Sequence, residues 1–305
     1  MALFLKQYVR YPCEAAVLVV FYGVFWVLPV NVASAIGGLL GRAIGPLLPT
    51  TRRATRNLEL VYPEKSAAER AAIARDMWDN LGRSATEFPH LARMSRRDGE
   101  FVELVDAEHV LDLVAKRAPA ILVGAHMANW ELLSVYLSRM GLDLTSVARV
   151  MNNKVSQVVI EHSRNSFGGV RVDKNKRGTR EAIAALRRGG MLGIMCDQKF
   201  NNGLSLRLMG HEAMTAPGAA AFSMQFDCPI IPVRIERLGG AKFRITCYPA
   251  VDAPRTDDKS RDVEVVTQHL NDVLERWIRN RPGQWLWLHR RWPESAYRPA
   301  RQAAA

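Results

Sequence analysis

Residues 120–140 read AILVGAHMANWELLSVYLSRM. Ala120–Gly124 is short, apolar and uncharged, the pattern of a strand buried on both faces. Trp130–Met140 then carries apolar residues at helical spacing, so a strand feeds a helix through a brief turn. The same alternation continues outward. Strands are expected at Phe101–Val105, Leu144–Ala148, Met191–Cys196, Ile230–Ile235 and Lys242–Cys247. Helices are expected at Glu108–Lys116, Val155–Phe167, Arg180–Arg188, Pro217–Phe226 and Val263–Arg279, the fourth opened by its proline. Residues 66–92 add an amphipathic helix with Ala72, Ile73, Met77, Leu81 and Phe88 near helical spacing, and Ser66 with Glu69 forms a capping-box signature. Strands separated by helices of this length predict an α/β fold, a mainly parallel or mixed sheet covered by helices. Such sheets bind ligands beyond the carboxyl ends of their strands.

The amino-terminal region has a different character. Ala15–Val30 reads AAVLVVFYGVFWVLPV without a charge, and a weaker apolar stretch runs on to Leu40. A helix over Ala15–Val30 reaches about 24 Å, short of the roughly 30 Å hydrocarbon core. A membrane helix recruiting residues beyond Pro29, or a hairpin dipping into one leaflet, fits this length. A cleaved signal peptide fits less well, because no small-x-small cleavage site follows before Arg42. Arginines are denser after the segment (Arg42, Arg52, Arg53, Arg56) than before it (Lys6, Arg10), which predicts a cytoplasmic main domain. The expected organisation is a membrane-anchoring segment at 1–50 and a main domain at 51–305.

Composition narrows the class. The 305 residues, 48% hydrophobic, exclude a disordered chain. Forty-two Lys and Arg against thirty Asp and Glu give a formal charge of +12 and call for an anionic partner, nucleic acid or membrane. No zinc-finger, RNA-recognition or helix-turn-helix signature supports nucleic acid. Cys13, Cys196, Cys228 and Cys247 are scattered, without a Cys-x-x-Cys pair, so neither structural zinc nor a disulfide framework is expected. No metal or nucleotide motif stands out.

His126 follows the Ala120–Gly124 strand, and Glu131 comes five positions later near a helix start. If the turn folds back, Glu131 holds one imidazole tautomer and leaves the other nitrogen to take a proton from a hydroxyl. The pair is then base and orienter without a protein nucleophile. Equally, His126 can be a polar strand-end residue and Glu131 a first-turn acid favoured by the helix dipole.

The block GAHMANWELL resembles the His-(four residues)-Glu element of the late acyltransferases of lipid A synthesis, the lauroyl/myristoyl transferase family of the lysophospholipid acyltransferase superfamily. Arg53–Pro63 resembles that family's amino-terminal signature. Cys196-Asp197-Gln198 resembles its strand-terminal element. Met214–Arg234 resembles its small-residue helix and following strand, and Trp285–Trp292 (WLWLHRRW) its carboxyl-terminal block. The blocks occur in the family's order from about residue 1 to 295.

The resemblance implies a glycerolipid-acyltransferase-like fold. It implies an enzyme that takes acyl chains from acyl carrier protein, without a cofactor, to a hydroxyl of a phosphorylated glycolipid acceptor at the inner membrane. It makes His126 the general base and Glu131 its orienting acid, with direct attack on the thioester and oxyanion donors from backbone amides after His126. Arg149, with Asn152 and Asn153 downstream, resembles an arginine block that would bind phosphate, although Val150 stands where the family often has proline. Asp197 and Gln198 lie on the same strand edge and are expected to shape the site. Leu288–Trp292 sets cations beside tryptophans, a pattern that suits docking on an anionic membrane and equally suits a packing motif.

Within the superfamily, a glycerolipid acyltransferase usually has Asp at the place of Glu131 and a Glu-Gly-x-Arg block, which Arg177-Gly178-Thr179-Arg180 lacks. A thioesterase acting through Cys196 or a serine would lead to a nucleophile elbow, and no Gly-x-Ser-x-Gly occurs. A non-catalytic basic membrane protein explains the charge but not the ordered motifs.

Overall fold

A computed structural model describes residues 11–147, 169–173 and 175–297. The helices are α1 (Tyr11–Trp26), α2 (Val30–Ile44), α3 (Thr51–Val61), α4 (Ala67–Glu87), α5 (Leu91–Met94), α6 (Glu108–Ala115), α7 (Trp130–Arg139), α8 (Lys176–Arg187), α9 (Gly218–Phe226) and α10 (Lys259–Asn280). The strands are β1 (Val102–Val105), β2 (Ala120–Gly124), β3 (Leu144–Val147), β4 (Val170–Val172), β5 (Met191–Met195), β6 (Lys199–Leu208), β7 (His211–Thr215), β8 (Ile230–Gly239) and β9 (Lys242–Cys247).

Seven strands form one sheet in the order β1-β9-β8-β2-β5-β3-β4. Every neighbouring pair is parallel except β8 and β9, an antiparallel pair turned at Gly239 and Gly240. All five residues of β2 are buried. Ile121 and Val123 join an apolar cluster with α4, α9 and α10, while Ala120 and Leu122 join a second cluster with α7. Alternate side chains on a strand point to opposite faces, so helices cover the sheet on both sides, as the alternating pattern predicts.

Parallel pairing sets Gly124 opposite Met195, and the Cys196 amide donates to the Gly124 carbonyl at 3.1 Å. The segments that leave β2 and β5 therefore emerge side by side. That juxtaposition builds the site.

The apolar amino-terminal stretch breaks at Val27–Pro29 into two helices. α1 is too short to cross a bilayer and leaves Val17, Val20 and Trp26 more than half exposed. Val30–Leu47 is long and apolar enough to cross a bilayer, but a third of it is buried inside the protein. α2 lies against α4 through Gly37, Gly41 and Gly82, where a Cβ on Gly82 would run into the Gly37 carbonyl oxygen. Ser66 and Glu69 close the expected capping box of α4.

Beneath this packing, Glu87 is fully buried at the end of α4. It accepts from Arg237 Nη1 on β8 at 2.5 Å, Asn129 Nδ2 at 2.9 Å and Ser34 Oγ of α2 at 2.7 Å. A buried carboxylate needs such donors to offset its lost hydration.

One element departs from the expectations. β6 and β7 form an antiparallel hairpin outside the main sheet, turned at Met209 (φ 55°) and Gly210 (φ 80°). The expected helix at Val155–Phe167 lies outside the described residues.

Candidate active site

Four residues beyond β2 the backbone turns sharply, with Ala128 in the left-handed region at φ 45°. The carboxyl-terminal segment fixes this turn. The Ala128 amide donates to the Gln284 carbonyl at 2.9 Å, and the Leu286 amide to the His126 carbonyl at 3.1 Å. From α4, Asn80 and Ser84 donate to the Ala128 carbonyl at 3.1 and 3.0 Å. Asn129 then caps α7, its side-chain oxygen accepting from the Leu132 amide at 3.2 Å.

The carboxylate at the His126 ring is Asp197, two residues beyond β5. His126 Nδ1 donates to Asp197 Oδ1 at 2.7 Å, and the His126 amide donates to Oδ2 at 2.9 Å. Trp285 Nε1 donates to Oδ2 at 2.8 Å. Asp197 is buried, and burial alone would raise its pKa. The positive charge His126 carries when protonated, its N–H groups and the Trp285 indole outweigh that and hold Asp197 far below the usual carboxylate range. Asp197 thus stays ionised and keeps the proton of His126 on Nδ1.

His126 Nε2 faces Gln198 Nε2 at 3.4 Å, and the same amide nitrogen lies 3.1 Å from His289 Nε2. With the amide NH2 turned this way both imidazole nitrogens accept, an arrangement that matches the Nδ1–H tautomer of His126. Trp130 packs edge-on to the His126 ring at 5.4 Å between centroids.

Nε2 opens on a cavity of about 360 Å³. At its polar mouth stand His126, Glu131, Arg171, Gln198 and His289; inward it is lined by Leu122, Leu133, Leu137, Leu144, Met195 and Val233. Gly124 and Gly193 also line it, and a Cβ on Gly193 would come within 3.3 Å of Leu144 Cδ1. A polar mouth over an apolar interior suits an alkyl chain whose reactive end stops at the histidine.

His126, Glu131 and Gln198 thus line one cavity, with Asp197 buried behind the His126 ring. The carboxylate on Nδ1 is Asp197 rather than the Glu131 expected from spacing, because parallel pairing of β2 with β5 brings Asp197 alongside. Glu131, in the first turn of α7, pairs with Arg171 of β4 at 3.6 Å. Arg149 and Asn152 lie outside the described residues. Of the amides expected to serve an oxyanion, those of Met127, Ala128 and Leu132 are already engaged, by Ala125, Gln284 and Asn129.

The carboxyl-terminal block corrects the docking expectation for part of its length. Arg291 is fully buried, donating to the Met214 carbonyl at 2.9 Å and Thr215 Oγ1 at 2.7 Å. Burial pulls its pKa down to about 10. Trp285, Trp287 and Trp292 are buried with it and stack edge to face. These side chains join the carboxyl terminus to β7 and α10, so none of them is available to a lipid surface. Arg290 is exposed. Sequence reasoning missed His289 as a cavity residue and Arg171 as the partner of Glu131. A histidine inside the block was the visible signal for the first; nothing in the pattern marked the second. Cys196 is buried in the core with its Sγ toward the Ile194 carbonyl at 3.8 Å, the environment of a structural thiol rather than a nucleophile.

Comparison with known proteins gives the family of the chain. The chain is 24% identical over 286 residues to the lipid A biosynthesis lauroyltransferase of Escherichia coli K12, covering 88% of this chain and 89% of that protein. It is 25% identical over 284 residues to the palmitoleoyltransferase of the same organism, 88% of each. A phosphatidylinositol mannoside acyltransferase of Mycolicibacterium smegmatis is 23% identical over 207 residues, 64% of each. The family description "bacterial lipid A biosynthesis acyltransferase" matches residues 5–294, and the chain belongs to that family.

Proposed function

We propose that this acyltransferase moves a fatty acyl chain from acyl carrier protein to a hydroxyl of a lipid A precursor, at the cytoplasmic face of the inner membrane. The observation that carries the reading is the pairing of His126 Nδ1 with Asp197, which leaves Nε2 toward a polar-mouthed apolar cavity. The acyl chain lies along Leu122, Leu137 and Leu144, with its thioester carbonyl at the mouth. Nε2 takes the proton of the acceptor hydroxyl as its oxygen attacks the carbonyl carbon. The tetrahedral intermediate collapses and breaks the carbon–sulfur bond. The thiolate then takes the proton back from the imidazolium and leaves as the free carrier thiol. Asp197 stabilises the imidazolium during this cycle. Glu131, together with Arg171, orients the acceptor beside Nε2, and Arg149 and Asn152 bind its phosphate. The exposed apolar side chains of α1 and α2 enter the bilayer, with arginines after the segment on the cytoplasmic side.

The test is release of carrier thiol by purified protein given acyl carrier protein thioester. Release that requires a lipid A precursor supports the reading. Release without any acceptor means hydrolysis. Release only with a different acylated glycolipid supports a second reading, favoured by the likeness to the mannoside acyltransferase.

A further inference from the structure

A second cavity, of about 200 Å³, lies between the start of α3 and the carboxyl-terminal block. Arg52, Arg53 and Arg56 line it from α3, and Arg290 lines it from the other side. Four guanidinium groups face one carboxylate, Glu294, which Arg56 meets at 3.0 Å while lying over the Tyr297 ring at 4.8 Å. Arg53 is anchored to the Leu288 carbonyl at 3.0 Å. Among the described residues, the guanidinium groups of Arg52 and Arg290 form no hydrogen bond or ion pair, and both residues are exposed. Two positioned and two uncommitted arginines in one concavity make an excess of planar donors that suits the oxygens of a phosphate ester.

The place of the cleft selects the kind of phosphate. Pro49 forms part of its wall, and directly before it Leu47 and Leu48 are 81% and 39% exposed. The cleft thus begins where the apolar surface of α2 ends. It shares no lining residue with the His126 cavity, although one segment borders both: His289 turns toward Gln198, and Arg290 turns the other way. We infer that this cleft binds the headgroup phosphate of an anionic bilayer phospholipid and so fixes how the enzyme sits on the membrane. The inference rests on the reading that α1 and α2 contact the bilayer.

The test is co-sedimentation with vesicles of phosphatidylcholine, alone or mixed with phosphatidylglycerol, for the wild type and Arg52→Gln/Arg290→Gln. The wild type should bind mixed vesicles more tightly than neutral ones. Each lost arginine should weaken binding to mixed vesicles about fivefold, roughly thirtyfold for the pair, with the effect fading at high salt. Binding to neutral vesicles, which the apolar helices serve, should not change. If the wild type binds neither vesicle, the membrane reading and this inference fall together. Binding to neutral vesicles without a preference for phosphatidylglycerol, or an unaffected variant, overturns the arginine cleft alone. Inorganic phosphate that abolishes the preference at low millimolar concentration would assign a free anion and overturn the lipid assignment. So would a variant that binds mixed vesicles normally but loses binding to acyl carrier protein, or one whose acceptor KM rises in neutral micelles.

Discussion

Asp197 grips His126 twice, accepting the ring proton at 2.7 Å and the backbone amide at 2.9 Å. One carboxylate therefore sets the tautomer of the imidazole and the position of its backbone. Asp197→Asn would place an amide NH2 or a single carbonyl where two acceptors are needed. With the NH2 toward His126, the ring must carry its proton on Nε2 and can no longer act as a base. Turnover should fall by about three to four orders of magnitude with the fold retained. His126→Ala should cost about two to four orders. Steady-state rates beside circular dichroism check both, and near-native turnover in either folded variant would remove His126 from the mechanism.

Glu131→Gln separates a charge role from an anchoring role. If the carboxylate orients the acceptor, kcat/KM for the acceptor should drop by about one to two orders while thioester binding holds. If Glu131 only holds Arg171, Arg171→Ala should reproduce the whole defect. The two variants compared in acceptor titrations decide between these outcomes.

Gln198 shares one amide nitrogen between His126 and His289. An acceptor hydroxyl must displace that donor from Nε2 before reaction. Gln198→Leu should spare the tautomer set by Asp197 and raise the acceptor KM more than it lowers kcat. A kcat loss as deep as that of His126→Ala would instead make the amide part of the chemical step.

The framework of the sheet was legible because burial and alternation coincide in it. β2 and β9 have the bounds that their sequences predict, Ala120–Gly124 and Lys242–Cys247. The hairpin of β6 and β7 was not legible: KFNNGLSLRL mixes polar and apolar residues, and its turn puts Met209 rather than Asn or Asp at positive φ. In the site, His126 and its cavity position followed from a strand end. Asp197 was seen as a strand-end acid, but its bond to His126 spans 71 residues and depends on β5 lying beside β2. Strand order is a tertiary fact that local spacing does not encode. The same limit hid Arg291, whose basic, aromatic neighbourhood reads alike whether it is buried or exposed.

Gly82→Ala tests the contact between α2 and α4. The added methyl would meet the Gly37 carbonyl, so the helices must part or shift. A loss of about 1–3 kcal/mol is expected, seen as a lower melting temperature in detergent. An unchanged melting temperature would mean that α2 already sits away from α4.

The buried thiols set an alkaline limit. Burial pushes Cys228 up to about 11 and Cys247 up to about 12, from an ordinary 9.0. The native protein therefore keeps protons that the unfolded chain releases, so stability should begin to fall as pH rises past about 9. That fall should level off once the native thiols ionise near 11 and 12. Native alkylation at pH 8 should mark the exposed Cys13 and spare Cys196, Cys228 and Cys247. Rapid labelling of Cys247 would show that the core opens easily.

The carboxylate of Glu87 has a practical consequence for anyone seeking a soluble form of this enzyme. It holds Ser34 of α2, Arg237 of the sheet and Asn129 at the head of α7 in one buried cluster. Removing residues 1–44 to shed the greasy surface would strip one donor from that cluster and bare the face of α4 around Gly82. The cap of the helix that carries Glu131 would loosen with it. Solubility is better sought by replacing exposed Val17, Val20 and Trp26 with polar residues, which leaves every partner of Glu87 in place.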